Sequence, residues 1–576
     1  MIGVARVSYR RFKKLLVMLA AFSIAMPALA HAVSGVDEQW IPTFSPGAGY
    51  QGYLANESAF SASEASTWFN MTTSDGTPQG KVTQVAICNT GSEAGCNFSV
   101  KSMYRAVLPM CANDADTNCI SAVIARDKDG KDLEISNSTL FPAVSPQAFS
   151  GNSALGVPHG GSGVLVTIPD AAHDGGNQYL VKVVFTASRN VGQSKFDSPN
   201  LSASITAVNP VSGTFAGPVT ITEASKYDSI NRILVGSIRA ENVQLDPRIK
   251  VCAMQSNTEC ALPYAAPKDV TFGFTLRTEL PLKGWLHGRM KNALIDLKRS
   301  ETETVLTVSA NPISVPTIDV WTQSSELSDA HVDYYRKKAW YGEGRHFPVS
   351  ETNTGLPILD AEKTREGMKN ISFQHINTSF SAESMSNFLR WLPVAKDKAT
   401  ALPTQWRLGT MTDSGSGKVA QCLNKEASLA GVVTTNSTMY IDGPPTFDNK
   451  IGALDYKVAS THFQPDGTTV FKGSYELIMS STIGRCIYGF TAAPIRANIS
   501  VTSENGEPNV ATTTFREAKN WMTLTAYNFT FSSPKVRVKL TQKKNQTYSI
   551  NCVKGTKTKK VTGTSPKCPS GFRKAA

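Results

Sequence analysis

The sequence of 576 residues has few charged residues and lacks several motifs by which catalytic sites are recognised. Asp, Glu, Lys and Arg make up 18% of it, a low fraction that is typical of turn-rich extracellular β proteins. It contains no H-E-x-x-H and no G-x-S-x-G, which argues against those zinc peptidases and against α/β-hydrolases. We therefore predict no catalytic residue, no cofactor and no metal.

The first thirty residues are typical of a secretory signal peptide. Five basic residues between Arg6 and Lys14 precede an apolar stretch, Leu15 to Ala30, which is short for a membrane span. The stretch ends in Ala-Leu-Ala, a small-x-small cleavage site, and no comparably long apolar run follows. We predict a signal peptide over residues 1–30 and a secreted or cell-surface protein without a transmembrane anchor after cleavage. A retained N-terminal anchor is the alternative.

The charge is unevenly distributed along the chain. The region from Lys535 to Ala576 has twelve Lys and Arg and no Asp or Glu. The net charge of the whole chain is +12 and the leader holds five bases, so residues 31–534 carry 41 basic against 46 acidic residues, a net charge of −5. Because the excess positive charge is confined to one end, we do not predict nucleic acid as a partner.

Ten cysteines in an exported chain predict a disulfide framework. Three successive pairs each enclose seven polar residues, which predicts local bridges, and the last pair would close the C-terminal tail. No C-x-x-C is present, which argues against zinc. The predicted bridges are Cys88–Cys96, Cys111–Cys119, Cys252–Cys260, Cys552–Cys568 and, from the two that remain, Cys422–Cys486.

Alternating apolar and polar residues recur along the chain, for example at 270–277, 179–185 and 535–540, as expected of half-buried strands. One segment, 381–392, has the cap and the spacing of an amphipathic helix, and a second helix over 325–340 is less certain. We predict a mainly β fold with several β-sandwich-like domains in tandem, one of them with this short helix, braced by disulfide bonds.

Pro-rich extended stretches at 209–213 and 310–320 mark the predicted domain boundaries. After the signal peptide we predict an N-terminal β domain, which could be two subdomains, a second β domain, a connector, a C-terminal β domain and a basic tail. Their ranges are 33–210, 211–316, 317–345, 346–540 and 541–576.

The connector interleaves aromatic and basic residues, a composition that suits sugar rings or anionic polymers. The candidate glycan-binding residues are Tyr334, Tyr335, Trp340 and Tyr341, although aromatic residues wedged between domains are the more common case. Asp329, His331 and Asp333 would share a face and bind a cation in a strand, but they would diverge in a helix, which the neighbouring residues favour. Two histidines in Gly-rich loops, His159 and His173, are a further weak metal candidate.

The stretch GWLHGRM, residues 284–290, follows an alternating strand. We predict that Trp285 is buried, that His287 is structural and that Arg289 lies near the edge of the second domain. Together with RCIYGFTAAPIRANISVTSENGE (485–507), NWMTLTAYNFTFSSPKVRVKL (520–540) and the closing CVKG…PKCPSGFRK, this stretch resembles secreted actinobacterial proteins that end in a similar Cys-bracketed, Lys-rich tail. The resemblance implies a bacterial exported or envelope setting and assigns no catalytic residue.

The tail is the most unusual feature, because it has too few apolar residues to form a core. Its candidate envelope-binding residues are Lys554, Lys557, Lys559, Lys560, Lys567, Arg573 and Lys574. We predict an exported, non-catalytic protein of the envelope or extracellular space, acting in adhesion, surface coating or scaffolding and retained by this basic loop on anionic polymers or glycans. A secreted glycan-binding protein or glycan hydrolase is the alternative. The sequence predicts no oligomeric state.

Overall fold

The structure is a computed structural model that describes most of the chain. The described residues are 43, 45–57, 66–77, 82–96, 100–145, 147–214, 252–256, 258–337, 361–370, 372–377, 380–411, 415–426, 428–502, 508–531, 535–542, 548–563 and 566–575. The predicted signal peptide and the connector residues 338–345 lie outside them.

Strands dominate these residues, as the alternating patterns predict. The first seventeen are β1 (Tyr50–Ala55), β2 (Thr67–Thr73), β3 (Val82–Ile87), β4 (Lys101–Val107), β5 (Cys119–Arg126), β6 (Ser136–Phe141), β7 (Gly163–Thr167), β8 (Gln178–Asn190), β9 (Asn200–Ser212), β10 (Met254–Gln255), β11 (Glu259–Tyr264), β12 (Thr271–Thr278), β13 (Gly284–Arg289), β14 (Lys291–Arg299), β15 (Thr304–Asn311), β16 (Ile313–Ser314) and β17 (Ile318–Gln323).

The second half of the chain adds sixteen strands and the α-helices. The strands are β18 (Phe373–Asn377), β19 (Thr404–Gln405), β20 (Arg407–Thr410), β21 (Leu429–Thr435), β22 (Met439–Tyr440), β23 (Thr446–Asp448), β24 (Ala453–Ala459), β25 (Lys472–Ser480), β26 (Ile495–Thr502), β27 (Pro508–Asn509), β28 (Thr512–Ala518), β29 (Trp521–Thr530), β30 (Lys535–Gln542), β31 (Tyr548–Lys554), β32 (Lys557–Gly563) and β33 (Arg573–Lys574). The helices are α1 (Asp329–Lys337), α2 (Ala361–Lys369), α3 (Ala382–Trp391), α4 (Gly417–Glu426) and α5 (Ser481–Tyr488).

A fifteen-stranded sheet runs through the molecule in the order β28-β29-β25-β21-β13-β20-β9-β8-β4-β2-β3, with β10 and β11 beside β9 and with β6 and β7 beside β8. Near its middle, β13 pairs antiparallel with β20 and parallel with β21. A four-stranded sheet, β14-β15-β12-β5, covers one region of the long sheet and a six-stranded sheet around β24, β30 and β26 covers another. Two sandwich-like packings therefore share one continuous sheet.

The apolar pattern explains how one sheet serves two cores. Leu286, Val432 and Ile478 belong to the core beneath the four-stranded sheet, whereas their chain neighbours Trp285 and Val433 belong to the other core. Successive side chains of a strand point to opposite faces, so a strand covered on both faces is buried along its whole length. All seven residues of β21 are buried, as this arrangement requires.

The amphipathic helix is confirmed. The Oγ of Ser381 caps α3 by accepting the backbone N–H of Ser384 at 3.1 Å, and Met385 and Phe388 are buried in a core that α3 shares with β1 and β17. A hydroxyl at this position satisfies an otherwise unpaired N–H of the first turn, and the i, i+3 spacing places both apolar side chains on one face.

All five predicted disulfide bonds are present. The Cys422–Cys486 bridge, whose partners are 64 residues apart in sequence, joins α4 to α5. The mainly β, disulfide-braced fold is therefore confirmed.

The Pro-rich stretches at 209–213 and 310–320 contribute to strands of the sheets. β9 continues through residue 210 to Ser212, and its end pairs with β11, so a strand crosses the predicted boundary at 210. Beyond Val208, β9 no longer pairs with β8. Pro210 is tolerated there because its missing N–H can face the side of the strand on which β8 is absent. Residues 310–320 likewise contribute to β15, β16 and β17.

Candidate functional site

The basic tail is a small sheet and not the loop that its composition predicted. β31, β32 and β33 form a three-stranded antiparallel sheet with β31 in the middle, and Gly555 takes a positive φ of 59° in the turn between β31 and β32. The Cys552 side chain is fully buried by its bridge to Cys568. A central cystine thus replaces the apolar core that the tail is too polar to form.

The strand register of the tail gathers lysines on one face. Lys554 lies opposite Lys557, and Cys552 lies opposite both Lys559 and Lys574. Directly paired residues, and residues two apart on one strand, point to the same face. Like charges placed opposite each other destabilise a sheet, so this arrangement is unfavourable for folding of the tail alone.

All seven predicted envelope-binding residues are exposed in the structure. None of them has an ion-pair partner within the part of the chain that is described. By contrast, Arg537, which belongs to the same basic region of the sequence, is on β30 and forms two bonds of 2.7 and 2.8 Å to Asp455. Paired bases and the exposed Lys539 thus both occur on β30, and the unpaired positive charge is concentrated in the tail beyond it.

The predicted glycan-binding aromatics do not form a described site. Tyr334 is half-buried on α1, and the Arg390 guanidinium lies 4.5 Å from the centre of its ring. Tyr335 is on the same helix, but its side chain, Trp340 and Tyr341 lie outside what the structure describes. Tyr334 is accordingly used in packing between α1 and α3.

Of the metal candidates, His331 and His173 have structural contacts, and His159 is exposed. Asp329, His331 and Asp333 lie on α1, where i and i+2 side chains diverge, and the His331 ring packs edge-on against Trp391. His173 accepts the Gly175 N–H with Nδ1 and bonds the Gln178 carbonyl with Nε2, while burial lowers its pKa. In the described ranges, no three His, Cys, Asp or Glu residues are grouped as metal ligands.

Arg289, which was predicted near the edge of the second domain, is buried, with only 1% of its side chain exposed. Its Nε donates to Glu57 Oε2 at 2.6 Å, and its two terminal nitrogens donate to the carbonyls of Thr435, Ser437 and Thr438. The guanidinium also lies 4.7 Å from the centre of the Tyr440 ring. The burial of Arg289 agrees with the period-two pattern of β13, because Arg289 shares a face with Trp285, whose predicted burial is confirmed.

His287 completes this group, which we call the Arg289 cluster (Glu57, His287, Arg289 and Tyr440). The His287 ring stacks on Tyr440 with 3.4 Å between ring centres, and burial, reinforced by the Arg289 charge, holds its pKa well below the usual value. Despite an opposing desolvation cost, Arg289 and Arg407 hold the pKa of Glu57 at about 2. A permanently ionised, paired carboxylate and a neutral histidine suit a structural role better than proton transfer.

A polar cleft of about 570 Å³ opens where the two sandwich-like packings meet. Its lining comes from segments that are distant in sequence and includes Asp127, Lys128, Lys268, Asp269, Lys291, Asn292, Asn311, Asn436, Phe471, Lys472, Tyr527 and Asn528. Two β-bulges face it, and the Asn residue in each bulge, Asn292 or Asn528, has a positive φ. Bulges of this kind re-aim side chains and are frequent beside functional sites.

A buried carboxylate fixes one wall of the polar cleft. Glu476, 1% exposed, accepts the backbone N–H groups of Asn292 and Ala293 at 2.6 and 3.0 Å. The Tyr527 hydroxyl donates to the same carboxylate at 2.5 Å, and burial together with this negative charge raises the pKa of Tyr527. The Lys291 ammonium lies 4.8 Å from the centre of the Tyr527 ring. The wall is therefore held rigid by bonds among its own groups.

The residues of the polar cleft were missed by sequence analysis. They come from seven short stretches between residues 127 and 528, and no local pattern connects them. Comparison of the chain with protein-family models, with curated proteins and with solved structures gave no match. The resemblance to secreted actinobacterial proteins therefore stays a prediction.

Proposed function

We propose that this chain is an exported, non-catalytic protein of the bacterial envelope or extracellular space, retained there by its basic tail and acting in adhesion, surface coating or scaffolding. The observation that carries the proposal is the tail sheet, which presents seven exposed and unpaired basic side chains on a disulfide-closed unit. Their charge is not used for folding, so it is available for an anionic partner.

The compartment is supported by the bonding of the cysteines. All ten are paired in five disulfide bonds, which form and persist in oxidising surroundings outside the cytosol. Among the described residues, no helix combines the length and apolar character that crossing a bilayer requires.

The physical basis of retention is the summed attraction of several weak contacts. Each exposed ammonium group is screened within about 8–10 Å at physiological salt, so a single contact contributes little. Several such groups on one rigid unit bind a polymer that carries many anions, such as wall phosphates, acidic glycans or lipid headgroups, with an avidity that falls steeply as salt rises.

The test is to neutralise the tail and to follow the protein in medium, wall and membrane fractions. In one variant all seven tail bases become Gln, and in a second the chain ends after Gln542, the last residue of β30, whose side chain bonds the carbonyls of Thr491 and Ala493. A matched control neutralises seven exposed lysines of the body: Lys131, Lys195, Lys298, Lys425, Lys450, Lys457 and Lys539.

We expect both tail variants to appear in the medium, while the control stays with the envelope and is released only by high salt. Retention that is the same in all four proteins and insensitive to salt would rule out the tail as the anchor.

A further inference from the structure

We infer that the polar cleft is a binding site for a short acidic oligosaccharide. The site is separate from the basic tail and does not depend on the tail's role. Its volume of about 570 Å³ lies within the range of roughly 300–1,000 Å³ that is usual for small-molecule sites.

The charge of the lining points to an anionic ligand. Four lysines, Lys128, Lys268, Lys291 and Lys472, line the polar cleft, against two aspartates, Asp127 and Asp269. Nothing in the described ranges pairs any of the four lysines with a carboxylate. A positive cleft in a body that is otherwise slightly acidic attracts negatively charged molecules and concentrates them at this place.

The lining has two more lysines than aspartates, and one aspartate oxygen is engaged within the protein. Asp127 Oδ1 accepts the backbone N–H groups of Asp129 and Lys131, each at 2.9 Å, as the first residue of a tight turn. Glu476 is buried and accepts two backbone N–H groups and the Tyr527 hydroxyl. This carboxylate is thus engaged in structural bonds and is not one of the two accessible carboxylates that a glycan hydrolase needs. We therefore infer binding without hydrolysis.

The hydrogen-bonding groups favour a ligand rich in hydroxyls. Asn292 Nδ2 donates to Asn311 Oδ1 at 3.1 Å, and Asn311 Nδ2 donates to the Val270 carbonyl at 3.1 Å. Each amide nitrogen has a second N–H, because an amide group carries two donors. Side chains that are already oriented by one bond lose little entropy when they bond a sugar hydroxyl with the other.

The aromatic groups argue against a nucleotide base or an apolar peptide anchor. Phe471 is 6% exposed, and the Lys291 ammonium occupies a face of the Tyr527 ring. Neither ring is arranged for the stacking that base recognition uses. The Lys291 ammonium group lines the cleft together with the amide groups of Asn292 and Asn311. An acidic sugar needs this combination, because its carboxylate pairs with the ammonium group and its hydroxyls bond the amides.

The test uses titration calorimetry of the full mature chain in which the seven tail bases are Gln, so that the tail cannot bind the probe. The probe is tetragalacturonate, with the neutral maltotetraose and inorganic phosphate as comparisons. We expect one tetragalacturonate per chain, an affinity that falls with salt, and binding of maltotetraose that is at least about tenfold weaker, since a charged contact contributes more than a neutral one.

Substitution within one strand locates the site. Lys291→Met keeps the stem of the side chain and removes the charge, and we expect Kd to rise about tenfold. Lys298→Met is the matched control, because Lys298 is exposed on the same strand β14 and does not line the cleft, so Kd should not change. If Lys291→Met fails to fold, Lys472→Met takes its place, with the same expected loss.

Three outcomes would overturn the inference. They are a Kd that is unchanged from the wild type in both Lys291→Met and Lys472→Met, equal affinity for tetragalacturonate and maltotetraose, and full competition by phosphate at concentrations that leave a sugar site free. Absence of saturable binding to the chain with a neutralised tail would also overturn it, and would leave the proposed role of the tail unaffected.

Discussion

The Arg289 cluster and the basic tail use positive charge in opposite ways. Arg289 is buried, pairs with Glu57 and donates to three carbonyls, so nearly every donor of its guanidinium has a partner inside the protein. The seven bases of the tail are exposed and unpaired within the described chain. Removing a buried charge such as Arg289 deprives buried groups of a partner, which lowers stability. Removing an exposed charge of the tail exposes no buried group, because water takes its place.

Arg289 therefore stabilises the fold, whereas the bases of the tail are presented to the solvent. Arg289 connects segments around residues 57, 289 and 435–440, which are far apart in sequence. The tail sheet pairs only with itself among the described strands. The body should therefore unfold without regard to the tail's charge, and the tail should act without regard to the body's stability.

The largest effect is expected from Arg289→Ala. The substitution removes the ion-pair partner of Glu57 and the donor to three backbone carbonyls, and breaking a buried ion pair in this way costs about 3–5 kcal/mol. Chemical denaturation measures the loss, with the exposed Arg496→Ala as the control, for which a change within about 0.5 kcal/mol is expected. Similar losses in the two variants would show that burial of Arg289 has no energetic consequence.

A comparable but slightly smaller loss is expected from Phe388→Ala, which tests apolar packing in place of charge. Phe388 is fully buried beneath α3 and in the same cluster as Met385 and Trp391, so removing its ring should cost about 3–5 kcal/mol, less whatever the neighbours recover by closing the cavity. Ser386→Ala on the exposed side of the same helix is the control. An unchanged melting temperature for Phe388→Ala would place α3 outside the core.

A third buried charge, Asp319, gives a pH-dependent effect of the opposite sign to that of Glu57. Burial raises its pKa from 3.8 to about 6, although Thr43 and Gln374 donate to it. Between pH 4 and 6 the Asp319 carboxyl is protonated in the folded state and ionised in the unfolded state. The contribution of Asp319 to the free energy of unfolding therefore falls as pH rises through that window. The loss is on the order of 3 kcal/mol at neutral pH.

Asp319→Asn removes this contribution. The free energy of unfolding of the variant, minus that of the wild type, should rise between pH 4 and 6 and then stay constant. The subtraction cancels the contributions of Glu57, whose stabilisation is lost only as pH falls toward 2, and of His375, whose pKa burial lowers to about 4. A difference that does not change with pH would contradict the raised pKa of Asp319.

These comparisons also show which features the sequence could predict. The local bridges, the Ser381 cap and the alternation of β12 depend on residues within about ten positions of each other, and all were predicted. The prediction that residues 179–185 are half-buried is wrong, because β8 is buried on both faces there. The pairing of β13 between β20 and β21, the Glu57–Arg289 bond and the polar cleft join residues more than a hundred positions apart. Period-two patterning identifies which residues are buried on a strand, but it does not identify the strand's neighbours.

The smallest effect on the body is expected from opening the tail with Cys552→Ser and Cys568→Ser. The tail sheet shares no strand pairing with the body among the described strands, so the free energy of unfolding of the body should change by less than about 0.5 kcal/mol. The matched variant Cys422→Ser and Cys486→Ser, which frees α4 from α5, should lose roughly 4 kcal/mol, since that bridge closes a loop of 64 residues.

Opening the tail keeps every charge and removes only the arrangement that holds Lys554, Lys557, Lys559 and Lys574 on one face, so it separates charge from geometry. We expect trypsin to cleave at the tail lysines much faster in the opened variant, because the open chain is accessible to the protease. Retention on the envelope should weaken, but less than after neutralisation, because a disordered basic segment still attracts anions while losing conformational freedom on binding. If opening the tail weakens retention as much as neutralising it, the geometry of the lysine face matters more than their number; if it changes nothing, the tail acts through its net charge alone.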